Sequence, residues 1–123
     1  MPTKLVISIV DDDESAREGT VDLIRSMGFT TRAFPHAEAF LQSRSIKSTA
    51  CLITDVRMPG ITGLELYDRL VSSGNVIPTI LVTAFPSDSD RARAMKAGAA
   101  GYLSKPFSDD DLLSCIRAVL KSD

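Results

Sequence analysis

The sequence contains no tryptophan, one histidine and two cysteines. A single His36, with no paired Ser or Cys motif around it, argues against a hydrolytic triad. Cys51 and Cys115 belong to no metal-ligand spacing and no C-x-x-C pair, so both are expected as small buried apolar residues. No apolar run approaches the roughly 20 residues needed to span a bilayer. The opening Met1-Pro2-Thr3-Lys4 lacks the apolar stretch and cleavage site of a secretory leader. The expectation is a cytoplasmic protein without a membrane partner. Neither G-x-x-x-x-G-K-[ST] nor G-x-G-x-x-G occurs, which removes the two usual fingerprints for nucleotide phosphates. A formal net charge of -2 gives no electrostatic reason to seek nucleic acid.

What is present is the composition of a folded domain: 123 residues, 44% hydrophobic and 24% charged, enough for one core and one domain over residues 1–123. Five short apolar runs rich in β-branched residues fall at 5–10, 29–34, 51–54, 79–83 and 100–104. Segments with helical spacing separate them. Ala16, Val21, Leu23, Ile24 and Met27 form a stripe ending at Gly28, and a short helix is expected around Ala37, Ala39, Phe40 and Leu41. Leu64, Leu66, Tyr67, Leu70 and Val71 end at Gly74, and Ala92, Ala94, Met95 and Ala97 at Gly98. Leu112, Leu113, Ile116, Val119 and Leu120 follow Ser108 and an acidic first turn, with Lys121-Ser122-Asp123 as a polar tail. Strands alternating with helices mean an α/β fold with a parallel sheet, and the nearly continuous apolar runs are those of strands covered on both faces.

In such sheets ligands bind at the carboxyl ends of the strands. Asp11, Asp12 and Asp13 follow the first strand, Asp55 ends the third, Thr83 the fourth and Lys105 the fifth. Converging carboxylates repel one another unless a cation joins them, and a hard divalent ion such as Mg²⁺ suits oxygen ligands. A lysine and a threonine hydroxyl can hold phosphoryl oxygens, and an aspartate can itself be the nucleophile. The residues therefore point to metal-assisted phosphoryl transfer to a carboxylate.

Ile9-Val10-Asp11-Asp12-Asp13 resembles the acidic motif of response-regulator receiver domains, and Thr54-Asp55-Val56-Arg57-Met58-Pro59-Gly60, with Gly63, their phosphorylation motif. Val82-Thr83-Ala84 and Tyr102-Leu103-Ser104-Lys105-Pro106-Phe107 resemble their hydroxyl and lysine motifs. Four motifs in register over the whole chain make the resemblance specific, and their wording is most similar to the FixJ-like subgroup. It implies a doubly wound (βα)5, flavodoxin-like sheet of order 2-1-3-4-5. It implies Asp55 as phospho-acceptor, with Thr83 and Lys105 contacting the phosphoryl group. It implies Mg²⁺ held by Asp11, Asp12, Asp55 and the Arg57 backbone carbonyl, with Asp12 the main direct ligand. Tyr102 takes the place of the switch aromatic, and Lys105-Pro106 is expected to be cis.

The function so implied is that of a switch in a two-component system. A sensor histidine kinase phosphorylates it, and its only catalysis is its own phosphorylation and slow dephosphorylation. Output would pass through the fourth helix, fifth strand and fifth helix to a homodimer or an output domain. Arg91, Arg93 and Lys96 near Asp109 to Asp111 suggest charge pairing between copies on that face. Full-length members of the subgroup carry a C-terminal helix-turn-helix domain. The expectation is an isolated N-terminal part of a longer transcriptional regulator, reaching DNA only through a domain absent from this chain. Two other classes compete. A Mg²⁺-dependent aspartyl-phosphatase usually has an acid two residues after its nucleophile, where this chain has Arg57. A flavodoxin-like cofactor binder needs a hydroxyl- or glycine-rich loop where Asp11 to Asp13 stand.

Overall fold

The computed structural model describes residues 5–120; the opening residues 1–4 and the tail 121–123 lie outside the described residues. Five strands, β1 (Val6–Val10), β2 (Thr30–Phe34), β3 (Thr49–Asp55), β4 (Thr79–Thr83) and β5 (Gly101–Ser104), form one sheet. They alternate with helices α1 (Glu14–Ser26), α2 (Ala37–Leu41), α3 (Gly63–Ser72), α4 (Asp88–Lys96) and α5 (Asp109–Leu120). All pairings are parallel and the strand order is 2-1-3-4-5, as the resemblance implied.

Side chains alternate across each strand, so one sequence run feeds two cores. Ile7, Ile9, Cys51, Ile53, Ile80 and Val82 pack with Ile24 of α1 and Leu112 and Ile116 of α5. Val10 and Leu52 face the other way, onto Phe40 of α2 and Leu66 and Leu70 of α3. Leu81 joins Val56, Leu64, Tyr67, Ala94, Ala99 and Tyr102 beneath α4. Asp11 and Asp55 continue the phase of Ile7, Ile9 and of Cys51, Ile53, whereas Thr83 continues that of Leu81.

The helix ends follow local chemistry. The Asp13 side chain caps α1 by accepting from the Ala16 amide, and Thr62 and Glu65 cap the start of α3 reciprocally. Gly28, Gly74 and Gly98 each follow a helix with positive φ, the backbone shape that favours glycine. His36 caps α2, its Nδ1 accepting from the Ala39 amide at 3.1 Å.

Three details depart from the sequence reading. β3 runs from Thr49 to Asp55, beyond the expected 51–54, because Thr49 pairs with Val6 and Asp55 with Val82; polar strand ends leave no apolar signal. A 3₁₀ helix, Arg44–Ser48, stands where no apolar stripe announced one. Cys51 is buried as expected, but Cys115 is only half-buried. Burial, then the Cys115 thiol, pushes the Cys51 pKa up to about 12, and burial, then Asp111, raises that of Cys115. Both thiols stay protonated at neutral pH, as packing residues rather than nucleophiles.

Candidate functional site

β1, β3, β4 and β5 all deliver side chains to one edge of the sheet. β1 ends at Val10, and the Asp11 amide extends its pairing by donating to the Phe34 carbonyl at 3.1 Å. Asp11 is 4% exposed and Asp55 9% exposed, while Asp12 is exposed. One carboxylate oxygen from each of Asp11, Asp12 and Asp55 lies within 4.8 Å of the others. Lys105 reaches in from the far side, its Nζ 3.0 Å from Asp11 Oδ2 and 3.4 Å from Asp55 Oδ2.

The backbone around these groups is closely built. The Asp13 amide donates to Asp11 Oδ1 at 2.9 Å, and Arg17 Nη1 donates to the Asp11 carbonyl at 2.7 Å. The Lys105 amide donates to the Thr83 carbonyl at 2.7 Å, which ties the lysine to the end of β4. The Lys105-Pro106 bond is cis, as expected. α3 begins so close to Asp55 that a Cβ on Gly63 would sit 2.3 Å from the Asp55 carbonyl oxygen, so only glycine fits there.

Electrostatics explain why these groups need a partner. Burial raises the Asp55 pKa; Lys105 opposes this, and the Asp11 charge adds to it. Burial would lower the Lys105 pKa, but the hydrogen bond and charge of Asp11, then of Asp55, outweigh it and leave it raised. Lys105 is therefore a cation throughout the physiological range. Three carboxylates around one ammonium still leave excess negative charge when all are ionised. Hard oxygen donors at this spacing fit a divalent cation of the Mg²⁺ type.

The raised Asp55 pKa has a consequence for stability. The folded chain holds that proton more tightly than the unfolded chain does. Asp55 thus favours folding below the usual carboxylate range, and that contribution is lost as pH rises through its raised value. In metal-free buffer, Asp55→Asn should melt above the wild type near neutral pH, and the difference should shrink towards about pH 4. Calorimetry across that range in a chelator checks this; a variant melting below wild type at neutral pH would contradict it.

Thr83 ends β4 fully buried, its Oγ1 accepting from the Phe85 amide at 3.0 Å. Arg57 and Phe85, two residues beyond Asp55 and Thr83, touch each other: the guanidinium carbon lies 5.8 Å from the ring centroid. The sequence reading singled out Arg57 but gave no sign of this contact between two loops.

At the place of the switch aromatic, Tyr102 is 4% exposed, and its hydroxyl accepts from the Ser87 amide at 3.2 Å. The charge pairing expected on α4 needs a correction: Arg91, Arg93 and Lys96 do not form one basic face. Successive residues on a helix turn by about 100°, so Arg93 points away from Arg91. Its Nη2 lies 2.9 Å from Asp68 Oδ2 on α3, while the Arg91 guanidinium sits 4.8 Å from the Tyr102 ring centroid. Asp68 gave no sign of this role, since a surface acid on a helix needs no partner.

Fold and site together define a doubly wound α/β protein whose acidic pocket at the strand ends is spanned by a lysine. A family model for the response regulator receiver domain matches residues 7–117, and the chain belongs to that family. It is a signalling domain of two-component systems, and receivers generally bind Mg²⁺ in such an acidic pocket. Nodulation protein W of Bradyrhizobium diazoefficiens is 40% identical over 121 residues, which cover 98% of this chain and 53% of that protein. The structure of response regulator StyR matches with a TM-score of 0.89 and 41% identity, over 97% of this chain and 60% of that one. The crystal structure of FixJ-N matches with a TM-score of 0.86 and 31% identity, over 99% and 98%. The chain spans about half the length of the curated relatives it matches. Among the described residues, no helix is long and apolar enough to cross a membrane.

Proposed function

We propose that the chain is a phosphorylation-controlled switch whose acceptor is Asp55, acting as the receiver part of a longer transcriptional regulator. The observation that carries this reading is the Lys105 ammonium spanning Asp11 and Asp55 beside a third carboxylate, Asp12. A carboxylate oxygen of Asp55 attacks phosphorus, forming an O–P bond. The bond to the donor breaks, from a phosphohistidine of a sensor histidine kinase or from a small acyl phosphate. Lys105 holds one phosphoryl oxygen by charge, and the Thr83 hydroxyl turns from the Phe85 amide to donate to another. The side chains of Asp11, Asp12 and Asp55 and the Arg57 carbonyl would hold Mg²⁺. When bound, the ion offsets carboxylate repulsion and stabilises charge on the transferring group. The test is incubation with acetyl phosphate: one phosphoryl group should be gained with Mg²⁺ and none in a chelator. Equal labelling in both would overturn the metal-assisted reading.

The phosphoryl group should be long-lived. An attacking water needs an acid or amide to orient it, and Arg57 stacked on Phe85 supplies neither. A variant carrying Arg57→Asn and Phe85→Glu should lose its phosphoryl group roughly tenfold faster. Release of inorganic phosphate from the purified, loaded chain measures this; equal or slower loss from the variant contradicts it.

Output passes through α4, β5 and α5. Phosphorylation adds about -1.5 to -2 units of charge beside Thr83 and changes what that hydroxyl binds. The Phe85 amide then loses its acceptor, and the loop leading to Ser87 and Tyr102 shifts. The exposed Met95 and the acidic first turn of α5 lie on this face. The loaded chain should form a weak, salt-sensitive dimer through it. Sedimentation with a beryllofluoride mimic should show that dimer; a monomer at high concentration, unchanged by replacing Tyr102 or Arg91, would rule it out.

A further inference from the structure

α4 is poorly secured by apolar packing. Of its nine residues only Ala94 is buried, so contacts at its two ends decide where it sits. Those ends are held differently. At the amino end, the Phe85 amide donates to Thr83 Oγ1 and the Ser87 amide to the Tyr102 hydroxyl, while Arg91 lies over the Tyr102 ring. Each of these contacts terminates on Thr83 or Tyr102, the two residues that the proposed switch moves. At the carboxyl end, the Tyr67 hydroxyl donates to the Ala97 carbonyl at 3.2 Å, and the Ala99 amide donates to the Ala94 carbonyl at 3.0 Å. Arg93 pairs with Asp68 beside it. Among the described hydrogen bonds and ion pairs, none of these groups joins Asp11, Asp12, Asp55 or Lys105.

Tyr67 is built for holding. It projects from α3, one turn after Gly63, and is 7% exposed within the cluster that also contains Val56, Ala94 and Tyr102. Gly98 turns at φ +99, and a Cβ there would come 3.3 Å from the Tyr67 hydroxyl, so the chain reverses direction against that oxygen. Burial, then the charge of Asp68, raises the Tyr67 pKa, which keeps the hydroxyl a donor. We propose that Tyr67 is the pivot of the switch: its hydroxyl fixes the carboxyl end of α4 while the amino end moves with Thr83 and Tyr102. This rests on the switch reading above and adds a positioning residue and a direction of motion.

Backbone hydrogen exchange of the whole chain, with and without beryllofluoride and Mg²⁺, tests it. In the wild type, the mimic should change exchange at Phe85, Ser87 and Asp90 by roughly two- to tenfold, the range for one net hydrogen bond. Exchange at Ala97, Gly98 and Ala99 should stay constant. Tyr67→Phe keeps the ring and removes only the hydroxyl. It should speed exchange at those three amides by a similar factor and make them respond to the mimic. Asp68→Asn removes only an exposed ion pair and should leave them unresponsive. Equal changes at both ends of the wild-type helix would overturn the pivot and leave the switch standing. Amides 97 to 99 behaving in Tyr67→Phe as in wild type would remove Tyr67 from the account. No change at either end, with fluorine NMR showing the mimic bound, would overturn the switch reading and the pivot with it.

Discussion

Asp12→Ala should lose most of the thermal stabilisation that Mg²⁺ gives the wild-type chain, and should melt above the wild type when no metal is present. Both effects follow from one arrangement. Asp11, Asp12 and Asp55 bring carboxylate oxygens within 4.8 Å of one another, and the Lys105 ammonium is engaged by Asp11 and Asp55. Asp12 is the exposed member, the one a hydrated ion reaches first. A ligand that binds only the folded chain stabilises it by mass action; a tenfold excess over Kd gives about 1.4 kcal/mol. For a chain of this size that is about 5 °C in Tm. Removing Asp12 takes away a ligand and a repulsive charge together. The metal-dependent rise should therefore collapse while the metal-free Tm climbs. Melting curves in Mg²⁺ and in a chelator decide this. A full metal-dependent shift in Asp12→Ala would exclude Asp12 as a ligand.

Much of this site was legible in the sequence because strand phase and strand ends can be read from pattern. Ile7, Ile9 and Cys51, Ile53 set the alternation, Asp11 and Asp55 continue it past the apolar runs, and Lys105 follows the last run. The strand order came from resemblance, because alternation alone does not say which edge a strand joins. Contacts between residues of separate elements carried no signal. Arg93 turning to Asp68, Arg57 lying over Phe85 and Tyr67 reaching Ala97 each depend on how two helices or two loops meet. The resting position of the Tyr102 ring carried no signal for a related reason. A half-polar ring fits either a core or a surface, and only the Ser87 amide beside it shows which.

Switching through this site requires Asp55 to be the group that receives phosphorus. Asp55 ends a strand buried on both faces, is itself nearly buried, and has its carboxylate 3.4 Å from the lysine expected to hold the incoming oxygens. Asn at this position keeps the shape and one oxygen but cannot act as an anionic nucleophile. The expected loss is complete rather than partial, because the two neighbouring carboxylates are engaged differently. Asp11 is held by Lys105 and the Asp13 amide, and Asp12 is exposed. The most direct measurement is borohydride reduction of the chain after loading with acetyl phosphate and Mg²⁺, followed by peptide mass mapping. Reduction converts an aspartyl phosphate to homoserine. That mark should appear at position 55 in the wild type and nowhere in Asp55→Asn. The same mark at position 11 or 12, or labelling of Asp55→Asn equal to wild type, would contradict it.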